Sequence, residues 1–207
     1  MKKYPKLNKT YRELSIQEIR VFVEDCIGLS NSDRGLDIMF YPDYVHPSQQ
    51  FSLTTDSDIF TGKLLENRRI YLDDVCQISW VVFAGDLAHE FVHAFNPGII
   101  DCANNSSVLE EGIAGNVSRA LREALGKPRR KPETITPKYV KAFNTVEKLF
   151  GTNIKQTKIL RQHTEFKDLA SLTLEDLHNN NIMVDKDSFA YLSQEFNPHN
   201  HKPNKED

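Results

Sequence analysis

This 207-residue chain has little of what marks an exported, membrane-spanning or nucleic-acid-binding protein. Its longest apolar run, Ile78 to Ala84, is far too short to cross a bilayer. The lysine-led start, through Tyr4-Pro5-Lys6-Leu7-Asn8-Lys9, contains no apolar stretch of the kind a cleaved signal peptide needs. A cytoplasmic protein without membrane contact is therefore expected. The net charge is only -3, which excludes an electrostatic case for nucleic acid or an anionic surface. One short basic cluster, Lys127-Pro128-Arg129-Arg130-Lys131-Pro132, is flanked by prolines and reads as a solvated linker. Cysteine is scarce: Cys26, Cys76 and Cys102 are odd in number and form no C-x-x-C, arguing against both a disulfide framework and a cysteine zinc site. A reducing compartment fits that usage.

What the chain does have is concentrated in Ile78 to Asn96, ISWVVFAGDLAHEFVHAFN. At about 100° per residue, Trp80, Val81, Phe83, Ala84, Leu87, Ala88, Phe91, Val92, Ala94 and Phe95 cover most of the circumference and predict a buried helix. Asp86, His89, Glu90 and His93 share the remaining sector. Histidines four apart stack on one helical face, so both imidazoles can reach one ion while Glu90 points beside it. The plainer alternative is a pair of core or rim histidines near a helix end.

A second helical pattern opens with Val108-Leu109-Glu110-Glu111-Gly112-Ile113-Ala114. With the H-E-x-x-H segment, it resembles the gluzincin class of zinc metallopeptidases over Ile78 to about Ala120. In the aminopeptidase branch the third ligand lies in a W-L-N-E-G-F-A segment, and Leu109, Glu111, Gly112 and Ala114 match it in register. The resemblance implies a zinc ion held by His89, His93 and Glu111, with Glu90 as general base. Some gluzincins place an aspartate four residues after the ligand glutamate to orient a ligand histidine, but Gly115 stands there in this chain. Asp86 and Asp101 are candidates for that role. Periodicity taken alone would choose Glu110, in the middle of the arc of Ile113, Val117, Leu121 and Ala124. Yet Ser107 and Glu110 have capping-box spacing, which would use the Glu110 carboxylate on the backbone N–H of Ser107. Glu111 is therefore the expected ligand and Glu110 a cap or a partner to a ligand. Gly112, Ala114 and Gly115 are expected to let the two helices approach closely.

Elsewhere, Ser15 and Glu18 predict a capping box for a helix from Ile16 to Ile27, closed by Gly28. Leu36 to Tyr41 alternates as a strand, and Asp43 to Asp58, with His46, is polar and turn-rich. Ile59 to Leu65 and Arg69 to Leu72, joined across Glu66-Asn67-Arg68, predict a hairpin whose second strand offers an edge to an extended peptide. Asp73 or Asp74 would cap the metal helix. Further helices are expected over Val108 to Leu125, from Pro137 to Phe150, and over Ile154 to Gln162, Leu174 to His178 and Lys186 to Phe196. The final Asn197 to Asp207, which contains His199 and His201, lacks apolar residues and is expected to be disordered.

These readings predict an α+β fold, with a small mostly antiparallel sheet packed on the H-E-x-x-H helix and a helical C-terminal half. The expected division is 1–96 as an α/β subdomain, 97–196 as a helical subdomain, and 197–207 as a tail. The resemblance implies hydrolysis of a peptide or protein substrate, with zinc lowering the pKa of a bound water to about 7 and Glu90 taking its proton. His163, Tyr139, His178 and Tyr191 are candidates for a second group that stabilises an oxyanion. Two alternatives stay open: a non-catalytic zinc-containing binding module, and a zinc hydrolase of a non-peptide amide or ester.

Overall fold

A computed structural model describes residues 15–28, 36–40, 51–55, 68–72, 80–96, 106–126, 137–151, 154–165 and 167–196, with backbone alone in 36–40, 51–55, 68–72 and 80–82. Helix α1 spans Ile16–Ile27. Ser15 accepts from the Glu18 backbone N–H at 3.2 Å, and Glu18 accepts from the Ser15 N–H at 2.8 Å, so the expected capping box closes. Gly28 ends the helix at φ 72°, a conformation a side chain would oppose.

Strands β1 (Leu36–Phe40), β2 (Phe51–Thr55) and β3 (Arg68–Leu72) have the order β1-β3-β2. The pairing is parallel between β1 and β3 and antiparallel between β2 and β3. Two expectations fall here. With β3 between two partners, both of its edges are paired, so it offers no free edge to a peptide. The α+β class with a mostly antiparallel sheet is corrected as well: where the chain is described with its side chains it is helical, without strand or sheet, and the three backbone strands pair in mixed fashion. The physical reason is that alternation marks a strand but not its partner, and the neighbour of β3 comes from an earlier stretch rather than across a tight turn. The first arm of the expected hairpin, most of its turn, Asp73, Asp74 and His46 lie outside the described residues.

Helix α2 spans Trp80–Ala94, α3 Val108–Ala124 and α4 Pro137–Phe150. Gly151 closes α4 at φ 62°. Then come α5 (Gln156–His163), a 3-10 turn (Leu169–Ser171), α6 (Leu174–Asn179) and α7 (Lys186–Leu192). Helix α7 stops short of the expected Phe196, because Gln194 and Phe196 form backbone hydrogen bonds with Val108 and Ser106. One continuous core gathers Ile19, Phe22 and Val23 of α1, Leu87 and Phe91 of α2, Ile113, Val117 and Leu121 of α3, and Val146 of α4.

Helix α3 lies between α2 and α4. Its glycines serve the α4 side: a Cβ on Gly112 would lie 2.3 Å from Val146 Cγ2, and one on Gly115 1.9 Å from Phe143 Cε1. The close approach expected between α2 and α3 involves Gly85 of α2 instead, where a Cβ would meet Ser118 Oγ and Arg122 Cδ at 3.2 Å. Arg161 of α5 is fully buried and donates to the carbonyls of Ile27, Gly28 and Phe95, joining the C-terminal ends of α1 and α2. Cys26 is free and buried; burial pushes its thiol up to about 12, which keeps it inert. Cys76, Cys102 and the basic cluster 127–132 lie outside the described residues. Among the described residues no helix is long and apolar enough to cross a membrane.

Candidate metal centre

One helical turn of α2 separates His89 from His93, and their Nε2 atoms converge to 3.2 Å. Glu111, in the first turn of α3, faces both: Oε2 lies 3.3 Å from Nε2 of His89, and Oε1 lies 3.4 Å from Nε2 of His93. The three residues thus offer metal-ligating atoms that all lie within 4.8 Å of one another. Ligands held about 2.0–2.2 Å from a tetrahedral ion sit roughly 3.3–3.6 Å apart; the nitrogen pair, and the contact of each nitrogen with a different oxygen of Glu111, fall close to that spacing. Glu111 Oε2 is buried and accepts no hydrogen bond, despite its nearness to His89. A buried carboxylate oxygen without a donor is costly unless a cation meets it, and the donor set of two imidazoles and one carboxylate suits zinc.

The surroundings orient these groups. Nδ1 of His93 donates to Oε1 of Glu110 at 2.7 Å, which leaves the Nε2 lone pair of the neutral ring for a metal. The capping box expected at Ser107 is therefore only half made. Ser107 accepts from the Glu110 N–H at 3.1 Å, but the Glu110 carboxylate is directed across to α2. Ser106 donates to Glu111 Oε1 at 2.5 Å. In the metal-free chain, burial alone would lower the His93 pKa, but Glu111, hydrogen-bonded Glu110 and Glu90 outweigh it and hold it up at about 10. Burial would raise Glu111, but His93, His89 and Ser106 hold it down at about 2.

Glu90 is buried beside the three and makes no hydrogen bond among the described residues. Burial pushes its carboxyl up; His89 and His93 oppose this, while Glu111 and Asp86 add to it. Asp86 therefore sits within electrostatic reach of Glu90, whereas the histidine-orienting role falls to Glu110; Asp101 lies outside the described residues. Of the four candidates for a second electrophile, only Tyr139 is brought near, with its ring 6.5 Å from that of His89. Its hydroxyl has no partner among the described residues, and burial together with Glu111 and Glu90 keeps it protonated. His163 bonds Asn180, His178 bonds the Val184 carbonyl, and the ring of Tyr191 lies under Lys141. His199 and His201 lie outside the described residues.

Ser106 and the Asn96 lock were not foreseen. Asn96, fully buried just after α2, donates to Asp168 and accepts from the Leu169 N–H, fixing the end of α2. Both depend on contacts with distant or non-helical residues, for which a periodic pattern carries no signal. The chain matches no known protein family, no curated protein and no solved structure.

Proposed function

We propose that the chain is a zinc-dependent peptidase in which His89, His93 and Glu111 hold the ion and Glu90 is the general base. The observation that carries this reading is the set of separations of 3.2, 3.3 and 3.4 Å among three metal-directed side chains, with an unbonded buried carboxylate beside them. When bound, zinc supplies Lewis acidity to a substrate carbonyl and to water. Glu90 is suited to take and return a proton because it is buried beside the three side chains, and that burial raises its carboxyl above the usual carboxylate range. The same carboxyl, once protonated, can return the proton to the leaving amine. Glu110 keeps the His93 proton on Nδ1 and so keeps Nε2 directed at the site. Tyr139 presents a neutral phenol that can donate a hydrogen bond to an oxyanion.

The test is zinc content followed by digestion of a peptide library with and without chelator. One zinc per chain and chelator-sensitive cleavage are expected. Protein that takes up no stoichiometric metal after zinc incubation would end this reading. Zinc uptake with hydrolysis of esters or small amides, but of no peptide, would move the substrate class and keep the centre.

A further inference from the structure

We infer that Gln194–Phe196 acts as a strap that positions the Glu111 carboxylate through Ser106, an inference that rests on reading His89, His93 and Glu111 as a metal set. The Val108 N–H donates to the Gln194 carbonyl at 2.9 Å, and the Phe196 N–H donates to the Ser106 carbonyl at 2.7 Å. Ser107 and Glu195 face one another between these bonds as an antiparallel bridge. Phe196 is 5% exposed, and its ring lies 4.7 Å from that of Tyr139, which in turn adjoins His89. The end of the described chain is thus fastened to the entry of α3 by backbone and by side chain.

The fastened entry carries two serines with different targets. Ser107 is the N-cap and is held by the helix itself, through the Glu110 N–H. Ser106 precedes the cap and receives no support from helical hydrogen bonds, so its backbone direction must be fixed from outside the helix. The strap supplies that restraint at the Ser106 carbonyl. Its hydroxyl then donates to Glu111 Oε1, fixing the carboxylate so that Oε2 remains turned to His89 without a donor. A chain without this pairing would keep both histidines and lose the orientation of the third ligand.

The experiment is a zinc titration of the 207-residue chain and of its variants Ser106→Ala, Ser106→Thr, Phe196→Pro and Ser106→Ala/Phe196→Pro. Phe196→Pro removes the N–H that donates to Ser106. Ser106→Ala and Phe196→Pro should each weaken zinc binding roughly 10–100-fold, the range for groups that orient a ligand. The double variant should be no weaker than the weaker single one, because both act through one hydroxyl. Ser106→Thr, which keeps the hydroxyl, should bind like the unaltered chain. Losses that multiply in the double variant, or unchanged affinity in Phe196→Pro, would overturn the strap.

If Phe196→Pro does not fold, amide exchange on the unaltered chain decides the matter. Coupling is reciprocal, so zinc should slow exchange at the Phe196 and Val108 amides about tenfold more than at α6. Uniform slowing, or none at Phe196, would overturn the strap. Unaltered protein that binds no zinc would remove the metal reading itself, whereas normal zinc binding without the strap effects would remove only the strap.

Discussion

At the start of α1, Ser15 and Glu18 exchange hydrogen bonds at the surface, while at the start of α3, Ser107 and Glu110 share the same spacing but complete only half of that exchange. The difference lies in burial and in what the carboxylate can reach. Glu18 lies at the surface and accepts from both the backbone N–H and the hydroxyl of Ser15. Glu110 is 1% exposed and finds the His93 ring on the facing helix. In that buried setting the His93 ring takes the Glu110 carboxylate, and the cap retains only its serine half. The same local signal thus closes the N-terminus of α1 and, in α3, orients the His93 ring.

The largest effect should come from the carboxylate that has no counterpart in α1. Glu90→Gln should lower turnover about 10²–10⁴-fold while zinc is retained, since the amide keeps the shape and cannot accept the proton. Steady-state kinetics alongside metal analysis checks this, and undiminished turnover would place the base elsewhere.

The pH dependence sharpens the comparison next. His93, raised to about 10 in the metal-free chain, adds stability that is complete below its ordinary value near 6.5 and is lost as pH rises through about 10. Glu111, lowered to about 2, adds stability above its ordinary value near 4.5 that is lost as pH falls through about 2. The joint contribution of His93 and Glu111 should thus be largest between roughly pH 4.5 and 6.5, while Glu90, raised by burial, subtracts stability as pH rises above the ordinary carboxylate range. Zinc must displace the His93 Nε2 proton, so its affinity should rise up to about tenfold per pH unit across neutrality. Calorimetric titration at several pH values reads this, and flat affinity would mean that no protonated histidine is being displaced.

The smallest effect belongs to α1. Glu18→Gln should cost roughly 0.5 kcal/mol of stability, since one half of an exposed cap is weakened, and should leave zinc affinity unchanged. Thermal unfolding with and without zinc measures both. A zinc effect as large as that of Glu110→Gln would erase the distinction between the two helix starts.

Helix limits were largely legible because caps and stops are local: Ser15, Gly28, Ser107, Pro137 and Gly151 bound helices where their chemistry requires. The meeting of His89, His93 and Glu111 followed from i,i+4 spacing and motif register. What was not legible depended on partners far along the chain. The pattern could show that Glu110 is inward but not that His93 waits there. It could make 186–196 one helix but not reveal that Ser106 and Val108 take its last backbone groups. Nor could it show that Gly112 and Gly115 serve α4, or that β3 lies between two strands. Arg161, a charged residue in the core, becomes intelligible once the three carbonyls it meets are in place.

The most direct test of the division between the adjacent glutamates is zinc affinity, measured in parallel for Glu110→Gln and Glu111→Gln. The unaltered chain should bind one zinc; Glu111→Gln should lose nearly all affinity, and Glu110→Gln should lose about 10–100-fold, as expected for a group that orients a ligand. A large loss confined to Glu110→Gln, with Glu111→Gln binding normally, would show that the two carboxylates have the opposite roles.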